Sequence, residues 1–239
     1  MFIVDSKRKS IAAEAYRTLR TNIQYSSFDD EVRTMVVTSS EPGEGKSTTA
    51  GNIALSFAQA DMQTVIIDCD LRKPSLHKKF KISNSVGLSD ILIGKEKIGA
   101  AIHSYNDKLD VITSGKIPPN PAEMLGSKTM ERLLLALKEK YDIIILDTAP
   151  LQAVTDAQIL SIKADGVILV VRAQSTKKES VIQAKNLIGK VGGKILGTVL
   201  NGVENSKGKY YYYYGSNAEV DEDGVEQHIP SRNSRSTKR

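Results

Sequence analysis

The stretch SSEPGEGKSTT, residues 39–49, sets a lysine and a hydroxyl immediately behind two glycines. Gly43 and Gly45 permit a loop whose backbone amides turn inward on phosphate oxygens. Lys46 can then reach the β- and γ-phosphates of a nucleotide, and Ser47 can place its hydroxyl on magnesium. Glu44 and Thr48 complete the phosphate-binding run. A helix opening at this point adds its positive end. The strict phosphate-loop pattern carries glycine or alanine at its first position, where this chain has Ser40, so the match departs at one residue.

Carboxylates fall where such a loop needs them. VIIDCDLRKP ends an apolar run with Asp68 and Asp70, and strand alternation would project the two on one side. IIILDTAP ends another run with Asp147. Four apolar residues leading to an aspartate at a strand's carboxyl end suit a carboxylate that holds a magnesium-bound water beside phosphates. Taken singly, each aspartate reads equally well as a helix cap or loop carboxylate; beside the lysine loop they form a metal and phosphate site. Cys69, between two of them, reads as a small core residue.

A nucleotide site of this kind serves hydrolysis, switching or transfer, and a second aspartate pair is what transfer to a hydroxyl would use. The chain also carries five consecutive tyrosines, Tyr210, Tyr211, Tyr212, Tyr213 and Tyr214. A strand would send such a run to both faces and leave rings in water, so packing alone does not account for it. An aromatic patch for a partner is one use; a phosphoryl acceptor is another, because tyrosine is a hydroxyl.

The elements that must position these residues follow from periodicity. SIAAEAYRTLRTNIQYS carries Ile11, Ala15, Leu19 and Ile23 at helical spacing. RTMVVTSS reads as a strand entering the loop and KSTTAGNIALSFAQA as the helix leaving it. Further strands are TVIIDCD, LDVITSG, YDIIILDT, DGVILVV and KILGTVLNGV, and further helices SKTMERLLLALKEK, TDAQILSI and KESVIQAKNLIGK. Residues 71–106 look less regular. Apolar strands alternating with helices predict an α/β fold of the P-loop NTPase kind, a mostly parallel sheet covered on both faces. The expected organisation is one domain over residues 1–204 and a flexible tail over 205–239, which is poor in aliphatic residues and holds the tyrosines at its root.

Composition fits a cytoplasmic protein. The sequence is 40% hydrophobic and 26% charged, as in soluble domains, and its single cysteine suits a reducing compartment. No apolar run is long enough for a membrane span, and no secretory signal opens the chain. The net charge of +5 is modest. Its basic ends, SKRKS and SRNSRSTKR, could meet an anionic surface but read as solvated termini, so no nucleic-acid role is inferred.

From about Glu14 to the tyrosine run, the sequence resembles the bacterial tyrosine kinases of capsular and exopolysaccharide synthesis. SSEPGEGKSTT is similar to the family's Walker A, Ser40 included; VIIDCDLRKP is similar to its second aspartate motif and IIILDTAP to its Walker B. TSGKIPPNPAEML, residues 113–125, resembles a proline-rich segment of the same proteins. The resemblance implies ATP and magnesium as cofactors, with Lys46 on the phosphates and Ser47, Asp70 and Asp147 holding the ion. It makes Asp68 the base for the tyrosine hydroxyl, brings Asn201 toward the adenine, and makes residues 210–214 the autophosphorylated cluster. EAYRTLR matches a pattern in which Glu14, Arg17 and Arg20 mediate a homo-oligomeric ring, each tail reaching a neighbour's site; read without the family, it is a solvated ion-pair ladder. The chain is similar to the separate cytosolic type, recruited to the inner face of the plasma membrane by a membrane adaptor that activates it. A cognate tyrosine phosphatase and protein substrates are implied as further partners. The extension after Gly215 departs from the family pattern.

Two other functions share part of this signature. A partitioning or positioning ATPase has the same aspartate motifs, but usually an extra lysine near the loop's start, where this chain has Ser40 and Glu41. A nucleotide-dependent scaffold would use the tyrosines for binding.

Overall fold

A computed structural model describes residues 2–26 and 31–203. The chain runs α1 (Ile3–Ser6), α2 (Ile11–Gln24), β1 (Thr34–Ser39), α3 (Lys46–Ala58), β2 (Thr64–Asp68), α4 (Leu76–Phe80), α5 (Leu88–Leu92) and α6 (Ile98–Ala101). It continues through β3 (Ile102–Asn106), β4 (Leu109–Ile112), α7 (Pro121–Gly126), α8 (Lys128–Lys138), β5 (Ile143–Asp147), α9 (Asp156–Ser161), β6 (Gly166–Arg172), α10 (Lys178–Lys190) and β7 (Ile195–Asn201). The expected tail and the tyrosine cluster lie outside the described residues.

The strands form one sheet in the order β3-β4-β2-β5-β1-β6-β7. Every pairing is parallel except β3 with β4 at one edge. Sequential strands lie on opposite sides of β1, which opens the crevice where α/β folds place their ligands, beyond the carboxyl ends of the strands.

The central strands are buried along their whole length because both faces are covered. Alternation divides their side chains between two cores. Val36, Ile144, Leu146, Val167 and Leu169 pack toward α8, α9 and α10. Met35, Val37, Ile143, Ile145, Ile168 and Val170 pack toward α2 and α3. Helix α3 lies deep against its core: Ile53, Leu55 and Phe57 are buried, and so are polar Ser47, Thr49 and Asn52.

Three local readings change. The region from 71 to 106 holds three short helices and an antiparallel edge strand; β3 has an exposed, polar sequence without strand periodicity and exists because β4 gives it a partner. Helix α2 does not bury the stripe expected of it. Its inward residues are Ala13 and Ile23, with Tyr16 and Leu19 packed against the core, while Ile11 is 49% exposed and Ala15 is also outside. Strand β2 ends at Asp68, so Asp70 is placed by the following turn and not by the pleat.

Candidate active site

The turn after β1 makes a cradle. Gly43 and Gly45 have φ of 85° and 93°, a left-handed conformation that glycine adopts without strain. Gly45 is required for a second reason: a Cβ there would lie 2.1 Å from Nδ2 of Asn201. The Asn201 amide, at the end of β7, donates to the Glu44 carbonyl at 2.9 Å. Glu44 is buried, and its carboxylate accepts the Glu41 amide at 3.0 Å and the Thr176 hydroxyl. Arg172 Nη1 donates to the Gly43 carbonyl at 3.2 Å. The loop is thus held from outside, leaving its inner amides at the head of α3. Ser40 is fully buried in the turn, and its carbonyl accepts the Gln152 amide at 3.2 Å.

Three carboxylates face this loop from two neighbouring strand ends. Asp68 and Asp147 are paired positions on β2 and β5. Asp70 Oδ2 accepts from Lys46 Nζ at 2.9 Å, and Asp147 Oδ1 stands 3.9 Å from the same nitrogen. Burial disfavours the ammonium of Lys46, but the charges of Asp147 and Asp70 outweigh it and hold its pKa above the ordinary lysine value. Asp70 Oδ1 also accepts the Lys73 amide at 3.0 Å.

Asp68 has different work. Its Oδ2 accepts the amides of Ser75 and Leu76, each at 2.9 Å, and Oδ1 accepts that of Asp70 at 3.3 Å. It therefore fixes the turn that leads into α4. Burial and the charge of Asp147 push its pKa up to about 7, against the pull of those backbone donors. Burial likewise raises Asp147, opposed by Lys46. Cys69 is buried, and burial pushes its thiol well above the usual range, consistent with a packing role.

Both oxygens of Asp147 are buried and accept no well-formed hydrogen bond among the described residues; the Lys46 charge and the nearby Ser47 hydroxyl only partly compensate them. A fully desolvated carboxylate without donors is costly unless something cationic satisfies it. No cluster of three or more metal-ligating side chains exists among the described residues. A buried carboxylate facing a phosphate loop suits magnesium, which takes one or two carboxylates and completes its shell with water and substrate phosphates. Ser47, Asp70 and Asp147 are the residues that would hold it.

The structure therefore brings Gly43, Glu44, Gly45, Lys46, Ser47, Thr48, Asp68, Asp70, Asp147 and Asn201 to one end of the sheet. Glu14, Arg17 and Arg20 lie elsewhere, on α2. Arg17 pairs with Glu14 at 2.6 Å, whereas Arg20 leaves the ladder and donates to the Ser56 carbonyl of α3 at 2.8 Å.

Two further residues at the site carry no signal of their own in the sequence. Lys79 Nζ donates to Thr48 Oγ1 at 2.8 Å, bringing a second cation to the loop. Arg72 makes two bonds to buried Asp156, at 2.9 and 3.1 Å. Lys79 sits in LHKKF, a basic run that periodicity cannot distinguish from a solvated helix face; only the arginine of DLRKP stood within a recognised motif.

Residues 32–198 match the AAA domain family. Tyrosine-protein kinase YwqD of Bacillus subtilis (strain 168) is 46% identical over 215 residues, 90% of this chain and 91% of that protein. The chain belongs to the bacterial tyrosine kinases. Tyrosine-protein kinase CpsD of Streptococcus agalactiae is 38% identical over 219 residues, 89% of this chain and 95% of that protein. The solved kinase domain of Escherichia coli tyrosine kinase ETK superposes with a TM-score of 0.83 at 33% identity, covering 89% of this chain and 84% of that one. Membership carries the protein-tyrosine kinase class of activity and the phosphate loop of a P-loop NTPase, and with them nucleotide binding. Among the described residues, no helix is long and apolar enough to cross a membrane.

Proposed function

We propose that this bacterial tyrosine kinase uses ATP and magnesium to phosphorylate its own tyrosine cluster, residues 210–214, between subunits of a homo-oligomer. The observation that carries the reading is the buried, under-satisfied carboxylate of Asp147 set across from Lys46. Such a group is expensive to keep in a fold that does not load a cation there.

Lys46 and the loop amides would hold the triphosphate, with Lys46 turning from Asp70 to the phosphates. Magnesium, when bound, supplies positive charge that offsets the phosphate oxygens. Asp68, whose pKa lies near neutrality, would take the phenol proton. The phenol oxygen then bonds to the terminal phosphorus as the bond to the leaving ADP oxygen breaks. Asn201, whose amide already donates to the loop at Glu44, would face the adenine.

The wider setting is part of the same proposal. The kinase acts in the cytoplasm, is recruited to the inner membrane face by an adaptor of the polysaccharide co-polymerase type, and regulates capsular or exopolysaccharide synthesis. Glu14, Arg17 and Arg20 contribute to a ring, and a phosphatase reverses the modification. Each phosphate adds nearly two negative charges to one short segment, so accumulating phosphorylation loosens the assembly by repulsion.

Labelled ATP tests this directly, with and without the adaptor's cytoplasmic peptide. Phosphotyrosine is expected, falling by at least about tenfold when all five cluster tyrosines become phenylalanine. Free phosphate alone would indicate an ATPase switch, and neither product a scaffold. Label that persists in the five-fold phenylalanine chain overturns the cluster as acceptor.

A further inference from the structure

Immediately beside the carboxylates lies a groove of about 680 Å³, lined by Arg72, Lys73, His77, Lys78, Lys116 and Ile117 among others. Arg72 is committed to Asp156. Among the described residues no hydrogen bond or ion pair engages the side chains of Lys73, Lys78 or Lys116, and all three are exposed. Ile117 is 64% exposed at the same rim. His77 Nδ1 is buried without a partner among the described residues, and burial and the charge of Lys78 lower the pKa of its ring. The groove is thus a concentration of positive charge with little internal neutralisation, and such a surface selects an acidic ligand.

The chain carries one. After the tyrosines comes AEVDEDGVE, with Glu219, Asp221, Glu222, Asp223 and Glu226 within eight positions. It belongs to the 36 residues beyond Val203, Glu204–Arg239. We propose that residues 219–226 dock in this groove and thereby present the tyrosine cluster to the adjacent site. The idea rests on the kinase reading and extends it to acceptor recognition.

The spacing agrees. The Lys73 amide touches Asp70 and the Ser75 amide touches Asp68, so the groove begins within one turn of the carboxylates. Tyr214 and Asp221 are seven positions apart in the chain, an extended reach of up to about 25 Å. A tyrosine in the site therefore leaves the acidic segment ample slack to meet the lysines. Attraction between solvated charges also permits release, which an acceptor with five successive tyrosines requires.

The test uses the full-length chain with its own Glu219, Asp221, Glu222 and Asp223 changed to amides, so that the internal segment does not compete. A labelled synthetic peptide of residues 216–228, which contains no tyrosine, is added and fluorescence anisotropy followed. Binding is expected, weakening with salt and falling by about tenfold or more with Lys78→Glu and Lys116→Glu together. A peptide with those four carboxylates replaced by lysine should regain binding to the reversed groove. Affinity within twofold of the parent after groove reversal, or no regain in the swap, overturns the proposal. So does binding of phosphatidylglycerol vesicles through these lysines without any binding of peptide. Because no phosphoryl transfer is measured, failure here with phosphotyrosine still formed removes only the docking step. Peptide binding without phosphotyrosine removes only the autophosphorylation reading.

Discussion

The two flanks of the site solve opposite problems with the same kind of group. On one flank Asp68, Asp70 and Asp147 are at most 5% exposed, and strand ends and backbone amides fix where they stand. On the other, Lys73, Lys78 and Lys116 are exposed and their side chains have no partner among the described residues. Burying like charges together costs stability but gives them fixed positions and strong fields. Leaving charges in water costs almost nothing and gives them little individual strength. On the proposed reading, the difference teaches that the chemical step would be built into the core, whereas choice of acceptor can be set on the surface without disturbing the fold.

Asp147→Asn tests the buried flank most severely. It should lower phosphoryl transfer by about 10²–10³-fold, measured with labelled ATP at saturating magnesium. In magnesium-free buffer the same change should stabilise the protein, because an amide replaces a carboxylate whose charge is disfavoured by burial. A gain of about 1 kcal/mol would raise Tm by about 2–4 °C. Lower Tm would mean that the pairing with Lys46 outweighs desolvation, and the comparison would fail at its central residue.

Asp68→Asn sharpens the comparison by pH. Asp68 keeps its proton up to about pH 7 in the folded state, whereas in the unfolded chain it loses it near the ordinary aspartate value. The folded state thus holds more protons between about pH 4 and 7, and the favourable contribution of Asp68 is full below that window and disappears as pH rises through it. In magnesium-free protein the asparagine variant should show a flatter fall of Tm over that range. Its remaining oxygen can still accept the Ser75 and Leu76 amides, so the fold is kept. If Asp68 is the base, transfer falls by about 10²–10⁴-fold with little change in nucleotide affinity, read by equilibrium binding.

This pattern also explains how much was legible beforehand. Strong local signals announce the phosphate loop and both aspartate motifs, because their residue types and spacing are dictated by a ligand. The buried strands are legible for a similar reason: IIIL and GVILVV have no other stable place in a folded chain. The strand β3 was hidden, since HSYN has no apolar alternation and is held by tertiary pairing. Lys79 and the groove were hidden too. An exposed lysine carries no periodic signature, and only folding brings residues 72–78 beside 116 and 117.

On the exposed flank, effects should be smaller and confined to the acceptor. With a Lys46→Met chain as acceptor, the paired reversal of Lys78 and Lys116 should raise the half-saturating acceptor concentration about tenfold, with maximal rate within twofold. An equal loss of maximal rate would show that these cations act on chemistry, and the division between the flanks would not hold.

Helix α2 repeats the contrast on a smaller scale and gives the weakest effects. The Glu14–Arg17 pair is exposed, with side chains 57% and 32% accessible, so Glu14→Ala should cost no more than about 0.5 kcal/mol by urea denaturation. Arg20 instead ties α2 to α3 through the Ser56 carbonyl, and Arg20→Ala should cost about 1–2 kcal/mol because a charged donor is lost from a partly buried contact. If the proposed ring uses this helix, Glu14→Ala should nevertheless shift the oligomer toward smaller species in sedimentation, since a residue of little value to its own fold is available to a neighbour. An unchanged assembly for Glu14→Ala beside a disrupted one for Arg20→Ala would place the role of α2 in holding its own subunit together, and the surface used for assembly would have to be sought on another element.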